Sequence, residues 1–134
     1  TMDDRITQAV IGGMGLSFTD PNWDVPMQFA IAFAGEEPLS DLTEGAVNYA
    51  KSIDADLLAL SLQQRFQPFT SLTDLNSLDI PIMILAGDED DGNGVPKKLS
   101  NAMPKAKFQL VPGDHNNTYK SEEFGDAVLS FLRR

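Results

Sequence analysis

The chain has 134 residues, 42% of them hydrophobic, which is enough for one domain with a packed core. Its 20 acidic against 10 basic side chains, a formal net charge of −10, argue against nucleic acid and anionic membranes as partners, because both need a basic face. No cysteine and a single histidine exclude disulfides, thiol chemistry and zinc sites built from Cys or several His, and no cofactor is implied.

No apolar run approaches the roughly 20 residues of a membrane span. The opening TMDDRITQAV lacks the basic-then-apolar pattern of a signal peptide, so the chain reads as cytoplasmic. RITQAVIGG (5–13) reads as a strand over about 6–11, β-branched and closed by a glycine pair. MGLSFTDPNWDVP is too rich in Gly, Pro and Asp for regular structure. VPMQFAIAFAG (25–35) predicts a short helix with Pro26 in its first turn and Gly35 past its end. SDLTEGAVNYAKSI (40–53) predicts a second helix, with Asp41 and Glu44 at capping-box spacing and Leu42, Val47 and Ala50 on one face. DADLLALSLQQRF (54–66) predicts a third, with Leu57, Leu58, Ser61 and Leu62 on one face.

QPFTSLTDLNSLD is a connector with a helical turn from Ser71. IPIMILAG (80–87) is a continuous apolar strand, the pattern of a strand covered on both faces, over about 81–86. GVPKKLSNAMP (94–104) predicts a short helix between two prolines, and KFQLVPG (107–113) a strand over about 107–111. SEEFGDAVLSFLRR (121–134) predicts a closing helix: Ser121 at the N-cap, two acids in the first turn and two arginines at the end suit the macrodipole. The alternation of strands and helices predicts an α/β fold with a partial parallel sheet, flanking helices and a block of helices at 25–66.

Three sets of residues bear on chemistry. Four acids, Asp88 to Asp91, follow the apolar strand, and function gathers at the carboxyl ends of strands in such sheets. As a calcium loop they are a near miss. A register starting at Glu89 puts Asp91, Asn93 and Gly94 at positions 3, 5 and 6, but Ser100 stands where the closing Glu belongs. A solvated loop is the bland alternative. The single histidine, His115, follows the next strand, so an acid and an imidazole sit at corresponding places past two strands. That is the orienting half of a nucleophile–His–acid triad, if the two strands are neighbours. GLSFT, centred on Ser17, approaches the G-x-S-x-G nucleophile elbow but ends in Thr19 and runs into DPNWDVP rather than a helix. Met14, Phe18, Trp23, Met27, Phe29 and Phe33 form an apolar group, read as core or as a pocket lining; Asn116–Thr118 matches a glycosylation sequon and reads as chance.

Taken together, IPIMILAGDED, MPKAKFQLVPGDH and FGDAVLSFL resemble the C-terminal end of an α/β-hydrolase, and DDRITQAVIGGMG resembles the strand after that family's nucleophile helix. The likeness leans to the esterase and peroxidase-like branch. The resemblance implies that residues 1–134 form one incomplete domain, with 16–66 a helical lid and 67–134 the acid and histidine segment. It implies Asp90 as catalytic acid and His115 as base, with Asp88 structural and Asp91 in reserve, and Met14, Phe18, Trp23 and Phe29 near substrate. The elbow, the oxyanion loop and the earlier strands are expected upstream of Thr1. The chain alone is then expected to be inactive towards a small ester-like substrate. Its exposed sheet edge is expected to pair with the missing N-terminal half or a second copy. A non-catalytic interaction module using the same edge is the alternative.

Overall fold

The computed structural model describes residues 3, 5–36, 39–90 and 94–133, which fall into two compact units: Thr1–Pro21 with Thr70–Arg134, and Asn22–Phe69. In chain order the elements are β1 (Ala9–Gly12), a 3-10 turn (Leu16–Thr19), α1 (Val25–Ala34), α2 (Asp41–Ser52), α3 (Leu57–Arg65), α4 (Leu72–Asn76), β2 (Ile82–Gly87), α5 (Pro96–Ala102), β3 (Lys107–Val111), a second 3-10 turn (Thr118–Lys120) and α6 (Glu122–Leu132).

The first unit is a three-stranded parallel sheet in the order β1-β2-β3, with Ala9 opposite Ile82 and Gly87 opposite Val111. Every residue of β2 is buried, because alternate side chains enter two different cores. Ile82 and Ile84 pack with Leu99 and Met103 of the α5 region, joined at the margin by Ile11, Met14 and Leu72. Met83 and Leu85 pack with Val111 and with Ala127 and Phe131 of α6. Burying a side chain such as Ile84 or Leu85, both fully excluded from solvent, contributes about 1.5–3 kcal/mol each. The continuous apolar pattern of 80–87 therefore has its cause in helices on both faces.

β1 starts at Ala9, later than residue 6. Upstream, the Asp3 carboxylate accepts the Arg5 N–H at 3.0 Å and the Ile6 N–H reaches the Asp3 carbonyl at 2.9 Å. That local turn competes with extended pairing and leaves Ile6 half exposed. α6 is capped as its sequence predicts, Ser121 Oγ accepting the Phe124 N–H at 3.2 Å. The turn after Ser71 is a short helix with a complete capping box: Asp74 N–H to Ser71 Oγ at 3.1 Å and Ser71 N–H to Asp74 Oδ2 at 3.3 Å.

The second unit is three helices whose buried positions are small. α1 contributes Ala30 and Ala32, α2 contributes Thr43, Val47 and Ala50, and α3 contributes Ser61, whose Oγ donates to the Ala30 carbonyl at 2.7 Å. Small side chains let α1 and α3 approach closely, which pushes larger groups outward. The expected faces are therefore corrected. Leu42, Leu58 and Leu62 are exposed, and none of Trp23, Met27, Phe29 and Phe33 is fully buried. The α2 cap is also corrected: the Ser40 N–H donates to Thr43 Oγ1 at 3.1 Å, so Ser40 and Thr43 do what Asp41 and Glu44 were expected to do. α3 begins at Leu57 because Asp56 is its N-cap, accepting the Ala59 N–H at 3.0 Å.

Candidate active site

β2 and β3 end side by side, and hydrogen bonds continue past both ends. The Asp88 N–H donates to the Val111 carbonyl at 2.9 Å, the Asp88 carboxylate accepts the Gly113 N–H at 3.0 Å, and the Glu89 N–H donates to the Gly113 carbonyl at 3.1 Å. Two loops that could have splayed are thereby zipped together. The approach is so close that a side-chain carbon on Gly87 would overlap the Gly113 carbonyl oxygen, so only glycine fits there. Asp90 then turns back, its N–H on the Gly87 carbonyl at 3.2 Å, and its side chain is fully buried.

The histidine loop is tied from its other side. The Asp114 carboxylate accepts the Asn116 N–H at 2.8 Å and the Asn117 side-chain amide at 2.8 and 2.9 Å, and Thr118 Oγ1 donates to the Pro112 carbonyl at 2.9 Å. The Asn117 amide, and next the Asn116 N–H, hold the Asp114 carboxyl below the usual aspartate value.

These two devices place His115 Nδ1 at 3.1 Å from one Asp90 carboxylate oxygen and 3.2 Å from the other. The neutral ring in this contact donates its Nδ1–H to the carboxylate, which leaves Nε2 as the basic nitrogen. The Asp90 carboxylate is inaccessible, whereas 47% of the His115 side chain is exposed. A buried acid holding a half-exposed imidazole is an arrangement that can orient a general base. A third loop reaches the pair: Gly13, at the end of β1, is held by its N–H on the Leu85 carbonyl at 3.0 Å and lies against the His115 ring.

Of the other residues singled out in the sequence, Met14 is half buried against the α5-side core, and Phe18 is half buried in the 3-10 turn at Leu16–Thr19. Ser17 sits in that same turn, whose Leu16 N–H donates to the Gly94 carbonyl at 3.0 Å; the turn is not a strand-to-helix elbow. Trp23 and Phe29 belong to the helical unit, where Phe29 stacks on Phe33 with ring centroids 6.2 Å apart. Asp91, and with it Asn93 of the calcium register, lies outside the described residues. Among the described residues no group of three or more acidic or histidine side chains could hold a metal ion. A cavity of about 270 Å³ opens between β3 and α6, lined by residues including Met83, Gln109 and Phe131, and neither Asp90 nor His115 borders it. No described helix is long and apolar enough to cross a membrane. Sequence reasoning gave Asp88 a structural role without finding its partner, and it missed Gly13. An acid whose partner is a backbone N–H in another loop, and a glycine whose partner is a ring, leave no local pattern.

No family model matches the sequence, and no curated protein does. Solved structures do match. A bromoperoxidase from Bacillus anthracis aligns over 98% of this chain and 60% of its own, with 21% identity and a TM-score of 0.58. Rv0554 from Mycobacterium tuberculosis aligns over 96% of this chain and 57% of its own, with 11% identity and a TM-score of 0.62. A serine hydrolase involved in carbazole degradation aligns over 96% and 54%, with 18% identity and a TM-score of 0.56. At such identities the likeness speaks of fold. The chain has the α/β-hydrolase fold, as its C-terminal portion, and spans 54–60% of the length of these structures.

Proposed function

We propose that this chain supplies the acid and the base of a serine-hydrolase triad that cleaves a small-molecule ester or related acyl bond in the cytoplasm. The observation that carries the reading is the contact of His115 Nδ1 with both oxygens of the buried Asp90 carboxylate, at 3.1 and 3.2 Å. In this role His115 Nε2 takes the proton from the attacking serine and returns it to the leaving group. Asp90 fixes the tautomer and stabilises the imidazolium that forms between the two transfers. The nucleophile and oxyanion donors belong to a segment outside this sequence, joined through the open edge of β1. Of the side chains expected near substrate, Met14 and Phe18 share the sheet unit with Asp90 and His115 and are placed here at the acyl group. A separation of Asp90 and His115 beyond hydrogen-bond reach would have favoured the non-catalytic reading, and the 3.1 Å contact withholds that support.

Co-expression with an upstream α/β-hydrolase half carrying G-x-S-x-G tests this. Turnover of an activated ester is expected from the pair and not from this chain alone, and His115→Ala should lower kcat by about 10⁴–10⁶-fold. Equal turnover by the His115→Ala pair would sink the proposal. So would activity of the chain alone that Ser17→Ala removes, because the nucleophile would then be internal.

A further inference from the structure

We propose that Gly13 is a positioning residue for His115: its bare Cα forms the wall that keeps the imidazole seated on Asp90. The inference rests on the proposed role of His115 and adds a member to that site from a third loop. Gly13 adopts φ +62°, a left-handed backbone that favours glycine. A side-chain carbon built there would stand 3.1 Å from His115 Cε1, 3.3 Å from His115 Nδ1 and 3.6 Å from an Asp90 carboxylate oxygen. The first two distances are inside ordinary carbon contact, so something must give. Gly13 itself is held by its N–H on the Leu85 carbonyl, and Leu85 is fully buried in the central strand. Asp90 is buried and turned back onto Gly87. The histidine ring is half exposed, whereas Asp90 and Leu85 are buried, so the ring is the group freest to move. A methyl group at position 13 therefore acts on the Nδ1 contact and not on the sheet.

His115 is the single histidine, so the ring nitrogens of the ¹⁵N-labelled full chain give one unambiguous pair of resonances. At about pH 9, well above the ordinary histidine value of about 6.5, the wild type should show the Nδ1–H tautomer. Gly13→Ala should lose it in favour of Nε2–H. Gly35→Ala is the matched control: Gly35 has a similar φ of +71°, but nothing lies within 4 Å of an added carbon. It carries the cost of a positive φ without the contact and should keep the Nδ1–H form. A folded Gly13→Ala chain that retains Nδ1–H overturns the proposal, as does equal loss in Gly35→Ala. If Gly13→Ala does not fold, the wild type decides: a strong nuclear Overhauser contact between Gly13 Hα and His115 Hε1 supports the proposal, and its absence overturns it. Because this readout needs no turnover, a seated ring in an inactive complemented enzyme would count against the hydrolase reading alone.

Discussion

Asp114 shows how much of the site depends on acids that do no chemistry. Its carboxyl is held below the ordinary 3.8 chiefly by the Asn117 amide and next by the Asn116 N–H. The unfolded chain therefore takes up the proton first. The contribution of Asp114 to the histidine loop is complete above pH 3.8 and is lost as the pH falls through the lowered folded value. Asp114→Asn should destabilise the protein in denaturant titrations at about pH 6, and the deficit should shrink as the pH falls below 3.8. A deficit that persists undiminished in acid would mean the charge is not what matters. At this scale the sequence was partly legible. His115 could be picked out because it is the single histidine and follows a strand; Asp90 was separated from its three acidic neighbours by the family resemblance. Asp114 could not be picked out, and Asp88 was marked structural through the family pattern alone, because their partners are backbone groups and neighbouring amides, which any loop offers.

Among the elements, β2 bears most of the packing. Leu85 is fully buried between β1, β3 and α6, so Leu85→Ala should cost about 2–5 kcal/mol, read as a fall in denaturant midpoint. Leu58→Ala in α3 removes a side chain that is 65% exposed and should stay within about 0.5 kcal/mol. Comparable losses from the two substitutions would contradict the assigned helix faces. The sheet was legible because IPIMIL is short, rich in isoleucine and closed by Gly87, which favours a strand covered on both faces over a buried helix. The helical unit was legible as helices but not as packing. Leu58, Leu62 and Phe66 repeat at the spacing of a buried stripe, yet all three are exposed, while Ala30 and Ser61 hold the contact. Apolar periodicity finds a helix's apolar face, but here a close crossing through small residues took the interior positions.

For the whole molecule, the open side of β1 matters most. The N–H groups of Ala9 and Gly13 bond to the Pro81 and Leu85 carbonyls, so alternation along the strand turns the N–H and C=O groups of Val10 and Gly12 away from β2. On the proposed reading a partner strand adds there. The net charge of −10 opposes self-association, so sedimentation velocity should show dimer rising as salt increases towards about 0.5 M. Val10→Pro removes an outward N–H together with a side chain at the margin of the α6-side core, and should abolish the dimer; a folded variant that still dimerises would place the interface elsewhere. The division of the chain has a different kind of consequence. Asp90, His115, the Asp88 clamp and Gly13 all belong to the sheet unit, which the helical segment interrupts between Pro21 and Thr70. Insertions, deletions and drift within 22–69 would then fall on a unit that holds none of these residues, and would leave the acid–imidazole pair untouched.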